Sequence, residues 1–189
     1  TDNGHYKIDD VIAITVVFSE VVTVTGTPQL TLETGATDAV VDYTSGSGDT
    51  TLTFNFTITS ADTSSDLDYT STTSLALNGG TIVDAVGNVA TLTLPAPAAT
   101  NSLRANKALV VDGVIPQPPT GLALASGNTN LTLTWTASSE SDLAAYRIYG
   151  DTTASPTILL ITISSEMYSH TGLTNGTTYN YRMSTLDIA

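Results

Sequence analysis

The residues best equipped for chemistry in this chain are oxygen donors. Acidic side chains gather at Asp9-Asp10, at Asp62, Asp66 and Asp68, at Asp84 with Asn88, at Asp112, and at Glu140 with Asp142. Hard divalent cations are held by carboxylate, amide and carbonyl oxygens, so these clusters are calcium candidates. Asp84-x-x-x-Asn88 lies in a turn able to present oxygens, and the preferred ligands are Asp84 and Asp112, with Glu140 and Asp142 next. None of the clusters has the regular spacing of an EF-hand loop. The other reading is that they are solvated turn carboxylates, which keep a β protein soluble and discourage edge pairing.

A second chemistry open to carboxylates is acid–base catalysis. Asp66 and Asp68 alternate, so a strand would set both on one face. A glycosidase also needs a cleft, usually lined with aromatics, and aromatic residues are only 6% of this chain, with one Trp. Cys is absent, which removes thiolate nucleophiles, thiolate metal sites and disulfides together. His5 and His170 lie near opposite ends, and neither has a Gly-x-Ser-x-Gly elbow around it. The reading is a protein without an active site. Trp135 is read as a core residue rather than a sugar platform. Of the pairs Tyr146/Tyr149 and Tyr179/Tyr181, one member each is expected inside and the other outside, and His170 is read as a strand-end residue.

The composition narrows the partners. Five Lys and Arg against 18 Asp and Glu leave a net charge of −13. Such a surface cannot displace counterions from a phosphate backbone or dock on an anionic membrane, so nucleic acid is excluded as a partner. No apolar run reaches the ~18 residues of a membrane span. Hydrophobic residues make up 41%, enough for a core. Thr occurs 36 times, and charged residues are 12% against a typical ~25%. A polar but sparingly charged surface of this kind points to an extracellular or cell-surface setting. The chain does not start with Met, so it is expected to be a piece of a longer or processed polypeptide. Three Asn-x-Thr sequons, at Asn55, Asn130 and Asn175, matter only where N-glycosylation occurs.

The elements that must position these residues are strands. Val11–Phe18 (VIAITVVF) reads as a buried strand, and Gln29–Glu33 alternates strictly. In Thr51–Thr59 the residues Leu52, Phe54, Phe56 and Ile58 share one face. Ala39–Tyr43, Ser74–Leu77, Thr81–Val83, Ala90–Leu94 and Lys107–Val111 are further strands, with one helical turn around Ala98–Ala105. Pro116, Pro118 and Pro119 then stiffen a linker toward polyproline II. The β rhythm restarts over Thr120–Leu124, Leu131–Trp135, Ala145–Tyr149, Ile158–Ile163, Met167–His170 and Thr178–Ser184. The boundary is placed near Gly113, giving domains 1–113 and 114–189.

The second block resembles a fibronectin type III domain. The resemblance rests on Pro118-Pro119-Thr120-Gly121-Leu122, on LTLTW ending at Trp135, on the run from Asp142 to Tyr149, and on Leu173-Thr174-Asn175-Gly176-Thr177-Thr178-Tyr179. It implies a core Trp and a tyrosine corner at Tyr179, over residues 116–189. The first block, residues 4–112, resembles a bacterial immunoglobulin-like repeat of very large surface adhesins. That likeness rests on IAITVVFSE from Ile12, on Val24–Leu30, on Leu67-Asp68-Tyr69, and on Leu75–Asn88. It implies extension and adhesion rather than catalysis. In tandem repeats of this kind the place of Asp112 often clamps calcium between domains.

Both blocks depart from these patterns at the outer ends. Only two residues precede the stretch Asn3–Lys7, where adhesin repeats carry a strand, and the type III block stops after its sixth strand. Open edges invite a partner strand, so other copies or neighbouring repeats are the expected partners, through donor-strand contacts if the gaps are intrinsic. The fold class is all-β: two tandem immunoglobulin-like/fibronectin type III β-sandwiches, serving as a non-catalytic stalk or polymer unit of an adhesin or surface filament. A carbohydrate- or surface-binding accessory module of a secreted protein is the alternative.

Overall fold

A computed structural model describes Thr1–Ser139 and Leu143–Ile188. The chain divides into two units, Thr1–Val114 and Ile115–Ala189. The fold is all-β in both, each unit being a β-sandwich of two sheets.

In the first unit the strands are β1 (Gly4–Lys7), β2 (Val11–Thr25), β3 (Gln29–Leu32), β4 (Ala39–Ser45), β5 (Asp49–Thr57), β6 (Thr63–Ser64), β7 (Leu75–Ala76), β8 (Thr81–Val83) and β9 (Leu109–Asp112). Six of them form a sheet in the order β7-β3-β4-β5-β2-β8, and β1-β9-β6 form a second one. Within the second sheet β1 runs parallel to β9. Period-two alternation decides what each strand buries. Ile12 and Ile14 of β2 and Leu52, Phe54 and Phe56 of β5 point inward, as do Leu30 and Leu32 of β3. Leu109 and Val111 of β9 come from the other sheet and close the core over them.

β2 runs seven residues further than the alternation of VIAITVVF suggests. It pairs with β5 over Val11–Val17, changes register before Val22, and pairs with β8 over Thr23–Thr25. The register shift between Val17 and Val22 lets one strand serve two neighbours. Two expectations need correction. Ala90–Leu94 is extended but joins no ladder; its amides make single bonds, Ala90 N–H to the Ile82 carbonyl and Leu94 N–H to the Thr72 carbonyl. The helical turn spans only Leu103–Asn106, because Ala98 and Asn101 take left-handed φ values of 61° and 70° and the chain cannot coil through them. The Ser102 hydroxyl caps it, accepting from Ala105 N–H at 3.2 Å.

The second unit holds β10 (Thr120–Gly127), β11 (Asn130–Thr136), β12 (Leu143–Asp151), β13 (Leu159–Ile163), β14 (Met167–Thr171) and β15 (Asn180–Asp187). They make two three-stranded sheets, β10-β11-β14 and β13-β12-β15, antiparallel throughout. Leu133 and Trp135 from the first sheet meet Tyr146 and Ile148 from the second.

At the exit of the first unit, Gly113 N–H donates to the Asp62 carbonyl at 2.8 Å. Asp62 is held in turn, its Oδ2 accepting from the Thr59 amide and hydroxyl at 2.7 Å each. A Cβ on Gly113 would collide with the Thr59 carbonyl oxygen, so only glycine fits this approach. Gly113→Ala is expected to destabilise the first unit by about 1–3 kcal/mol. Differential scanning calorimetry checks it, and an unchanged transition would show that the 59–62 loop yields instead.

Candidate functional site

The carboxylates singled out by sequence are mostly occupied by the protein's own donors. Asp84 follows β8 and closes the loop to Asn88: Oδ1 accepts from Val86 N–H (2.9 Å) and Asn88 N–H (2.8 Å), and Oδ2 from Asn88 Nδ2 (2.7 Å). The Asn88 side chain, then the loop amides, hold the Asp84 carboxyl below its usual range. Asp112 ends β9, and its Oδ1 accepts from Val114 N–H at 3.0 Å. Glu140 and Asp142 lie outside the described residues. Among the described residues no three His, Asp or Glu side chains converge as a metal-holding group.

Asp66 and Asp68 do not share a strand face. Their segment is a loop, because only Tyr69 forms a bridge there, to Leu32. Asp68 is buried and structural, accepting from Tyr69 N–H at 3.0 Å and Ala98 N–H at 2.8 Å. Asp66 instead pairs with Arg104 at 3.0 Å. The two carboxylates therefore serve separate loops and do not form an acid–base pair.

An aromatic seam runs between the sheets of the second unit. Trp135 is 6% exposed and packs edge-on against Tyr146, ring centroids 5.4 Å apart. His170 of β14 stacks on Tyr168 and meets Tyr179 and Tyr181 edge-on, and its Nδ1 lies 2.9 Å from the Tyr181 hydroxyl. Tyr179 and Tyr181 therefore both turn toward the seam, which corrects the expectation that one of them is outside. They are two residues apart, so they share a face. The Tyr179 hydroxyl accepts from Thr174 N–H at 3.2 Å, five residues upstream. That bond is a tyrosine corner.

Two sheet edges stand open beside incompletely covered cores. In the first unit, no strand among the described residues pairs with the outer side of β2 between Ala13 and Phe18, since β8 pairs with it only from Thr23. The Thr1 hydroxyl fills the first rung: it accepts from Ala13 N–H at 2.8 Å and donates to the Ala13 carbonyl at 2.9 Å. Beyond it lies a groove of about 690 Å³ whose apolar walls include Val16, Phe18, Leu94 and Leu103. In the second unit β15 is the last strand of its sheet. Leu124 lies directly opposite Leu133, so it points to the core side, yet Leu124 is 52% exposed where Leu133 is buried. Leu122, at a register shift in the same strand, is 43% exposed.

The two-sheet arrangement, the core Trp and the tyrosine corner agree with a comparison against protein families. Residues 117–189 match the fibronectin type III domain. The second unit is a fibronectin type III domain. Among solved structures the chain is similar to titin domains A168-A170, with a TM-score of 0.53 and 14% identity over 98% of this chain and 56% of that one. It is also similar to the chicken CNTN1 FN1-FN3 domains, with a TM-score of 0.45 and 12% identity over 98% and 57%. The chain thus spans little more than half of either, and the titin likeness establishes fold alone. No curated protein matches it.

Within the type III domain the seam carries a pH response. Burial among the rings pushes the His170 pKa below its ordinary value of about 6.5. Above that value the imidazole is neutral whether the domain is folded or not. Below it the unfolded chain takes up the proton first, so stability falls as the pH drops toward the folded-state pKa. Trp135 fluorescence during urea unfolding is expected to show the type III domain losing stability between about pH 7 and pH 5, with His170→Gln flattening the slope. Equal slopes in both proteins would remove His170 as the cause.

Proposed function

We propose that this chain is a non-catalytic structural segment of an extracellular bacterial adhesin or surface filament. In this role it acts as a stalk or polymer unit whose open edges are completed by strands from neighbouring segments or subunits. One observation carries the reading: among the described residues, both sandwiches present a strand edge with no further strand paired to it beside incompletely covered apolar side chains, over Thr15–Phe18 of β2 and along β15. Unpaired amides and carbonyls template a further strand, and the exposed Leu122 and Leu124 and the half-buried Val16 and Phe18 offer its side chains apolar seats. Sandwiches in series suit load-bearing, and the likeness to tandem titin domains fits it. Prolines 116, 118 and 119 stiffen the segment that follows the first unit. A Thr-rich surface with few charges is in keeping with life outside the cell, where type III domains are common.

Two measurements test this. Pulled from both ends, the chain is expected to unfold in two events, with contour gains of roughly 40 nm for the first unit and roughly 25 nm for the type III domain. A single event of their summed length would refute a two-link stalk. Electron microscopy of native material is expected to show extended fibres, and hydrogen exchange should find amides at Thr15, Val17 and the outer edge of β15 protected there but labile in the isolated chain. Fibres whose edge amides still exchange freely would reject strand completion while leaving the stalk intact.

A further inference from the structure

The charge of the type III domain is concentrated in an unusual way. Between residues 115 and 189 the only Lys or Arg residues are Arg147 and Arg182. Tyr146 and Ile148 of β12 point into the core, so Arg147 and Tyr149 stand on the outer face of sheet β13-β12-β15. The register sets Arg182 opposite Tyr149 and Arg147 opposite Ser184, which makes the two arginines diagonal neighbours. Arg182 lies over the Tyr149 ring, its guanidinium carbon 4.3 Å from the centroid. Leu159, paired with Tyr149, adds an apolar side chain that is 49% exposed.

Neither arginine has an ion-pair partner among the described residues, although carboxylates outnumber cations more than threefold in this chain. The carboxylates at the two ends of the face are engaged elsewhere. Asp151 accepts from the Thr153 amide and hydroxyl and from Thr157 N–H, and Asp187 has an interaction of its own. Two unpaired guanidiniums, one of them held in place by a ring, beside Tyr and Leu have the composition of an interface centre.

We propose that this face docks the carboxylate-bearing surface of a second copy of the chain. Charge complementarity carries the choice of occupant. Residues 1–114 alone hold 13 Asp and Glu against three Lys and Arg, so each copy offers the counter-charges that Arg147 and Arg182 lack. The planar guanidinium fork suits a carboxylate in bidentate contact. Net repulsion between acidic copies is screened beyond about 8 Å at physiological ionic strength, whereas pairs in contact persist. A sugar ring is the poorer fit, because Arg182 covers one face of Tyr149 and the neighbouring side chain is aliphatic. The contact is heterologous, one patch meeting a different one, so it propagates from copy to copy. It uses the sheet face and leaves the edge of β15 untouched.

Sedimentation equilibrium of the whole chain at about 0.15 M salt tests the proposal. The wild-type mass is expected to rise above the 19.6 kDa monomer with concentration. The pairs Arg147→Glu with Arg182→Glu, and Arg147→Gln with Arg182→Gln, should each weaken association about tenfold or more. The glutamine pair, checked by calorimetry, covers the case in which charge reversal disturbs folding. A wild-type chain that stays monomeric overturns the proposal. Association unchanged in both pairs also overturns it, and would place the contact at the open edges. Arginine-dependent binding to polygalacturonate by an otherwise monomeric chain would overturn it in favour of an anionic glycan.

Discussion

A β-sandwich depends on covering two things at once: the apolar face of each sheet and the hydrogen-bonding edge of each outer strand. One strand often does both, because its backbone pairs along the edge while its alternate side chains roof the core. Where such a strand is absent, both costs appear together. The first unit shows this beside β2, where unpaired backbone between Ala13 and Phe18 adjoins the groove walled by Val16 and Phe18. In the type III domain, Leu124 of β10 faces the core side yet remains 52% exposed. The Thr1 hydroxyl, bonded to both backbone groups of Ala13, covers a single rung of such an edge.

The same accounting explains the acidic residues. A buried polar group needs a partner, and Asp68 and Asp62 are buried because the chain brings backbone amides to them. Asp84 and Asp151 do the equivalent at surface loops, each gathering amides from the next few residues. The carboxylates therefore act chiefly as loop organisers. Arg147 and Arg182 stand apart from these loops, and among the described residues no acidic side chain forms an ion pair with either.

Trp135 and Tyr179 show how far local sequence carries. LTLTW places the Trp at an inward position by parity, and the Leu-x-x-Gly-Thr turn before Tyr179 fits its hydroxyl bond to Thr174 N–H. Tyr181 shows where it stops: Tyr179 and Tyr181 share one face, and what they meet there is His170 on the opposing sheet. The loop at Asp66 and Asp68 read like an alternating strand. It is not one, because Asp68 is drawn inward by Ala98 N–H, thirty residues away.

The sequence by itself determined the class of fold, since alternation, turn residues and the proline-rich stretch are local properties of the chain. It also determined the net charge. The tertiary structure alone decided which strands stand at sheet edges, why β2 serves two neighbours, and that Ala90–Leu94 joins no ladder. It decided as well that two arginines 35 positions apart become diagonal neighbours on one sheet face, with Arg182 over the Tyr149 ring. Strand order and register are set by contacts between distant segments, and nothing in local periodicity specifies which segments those are.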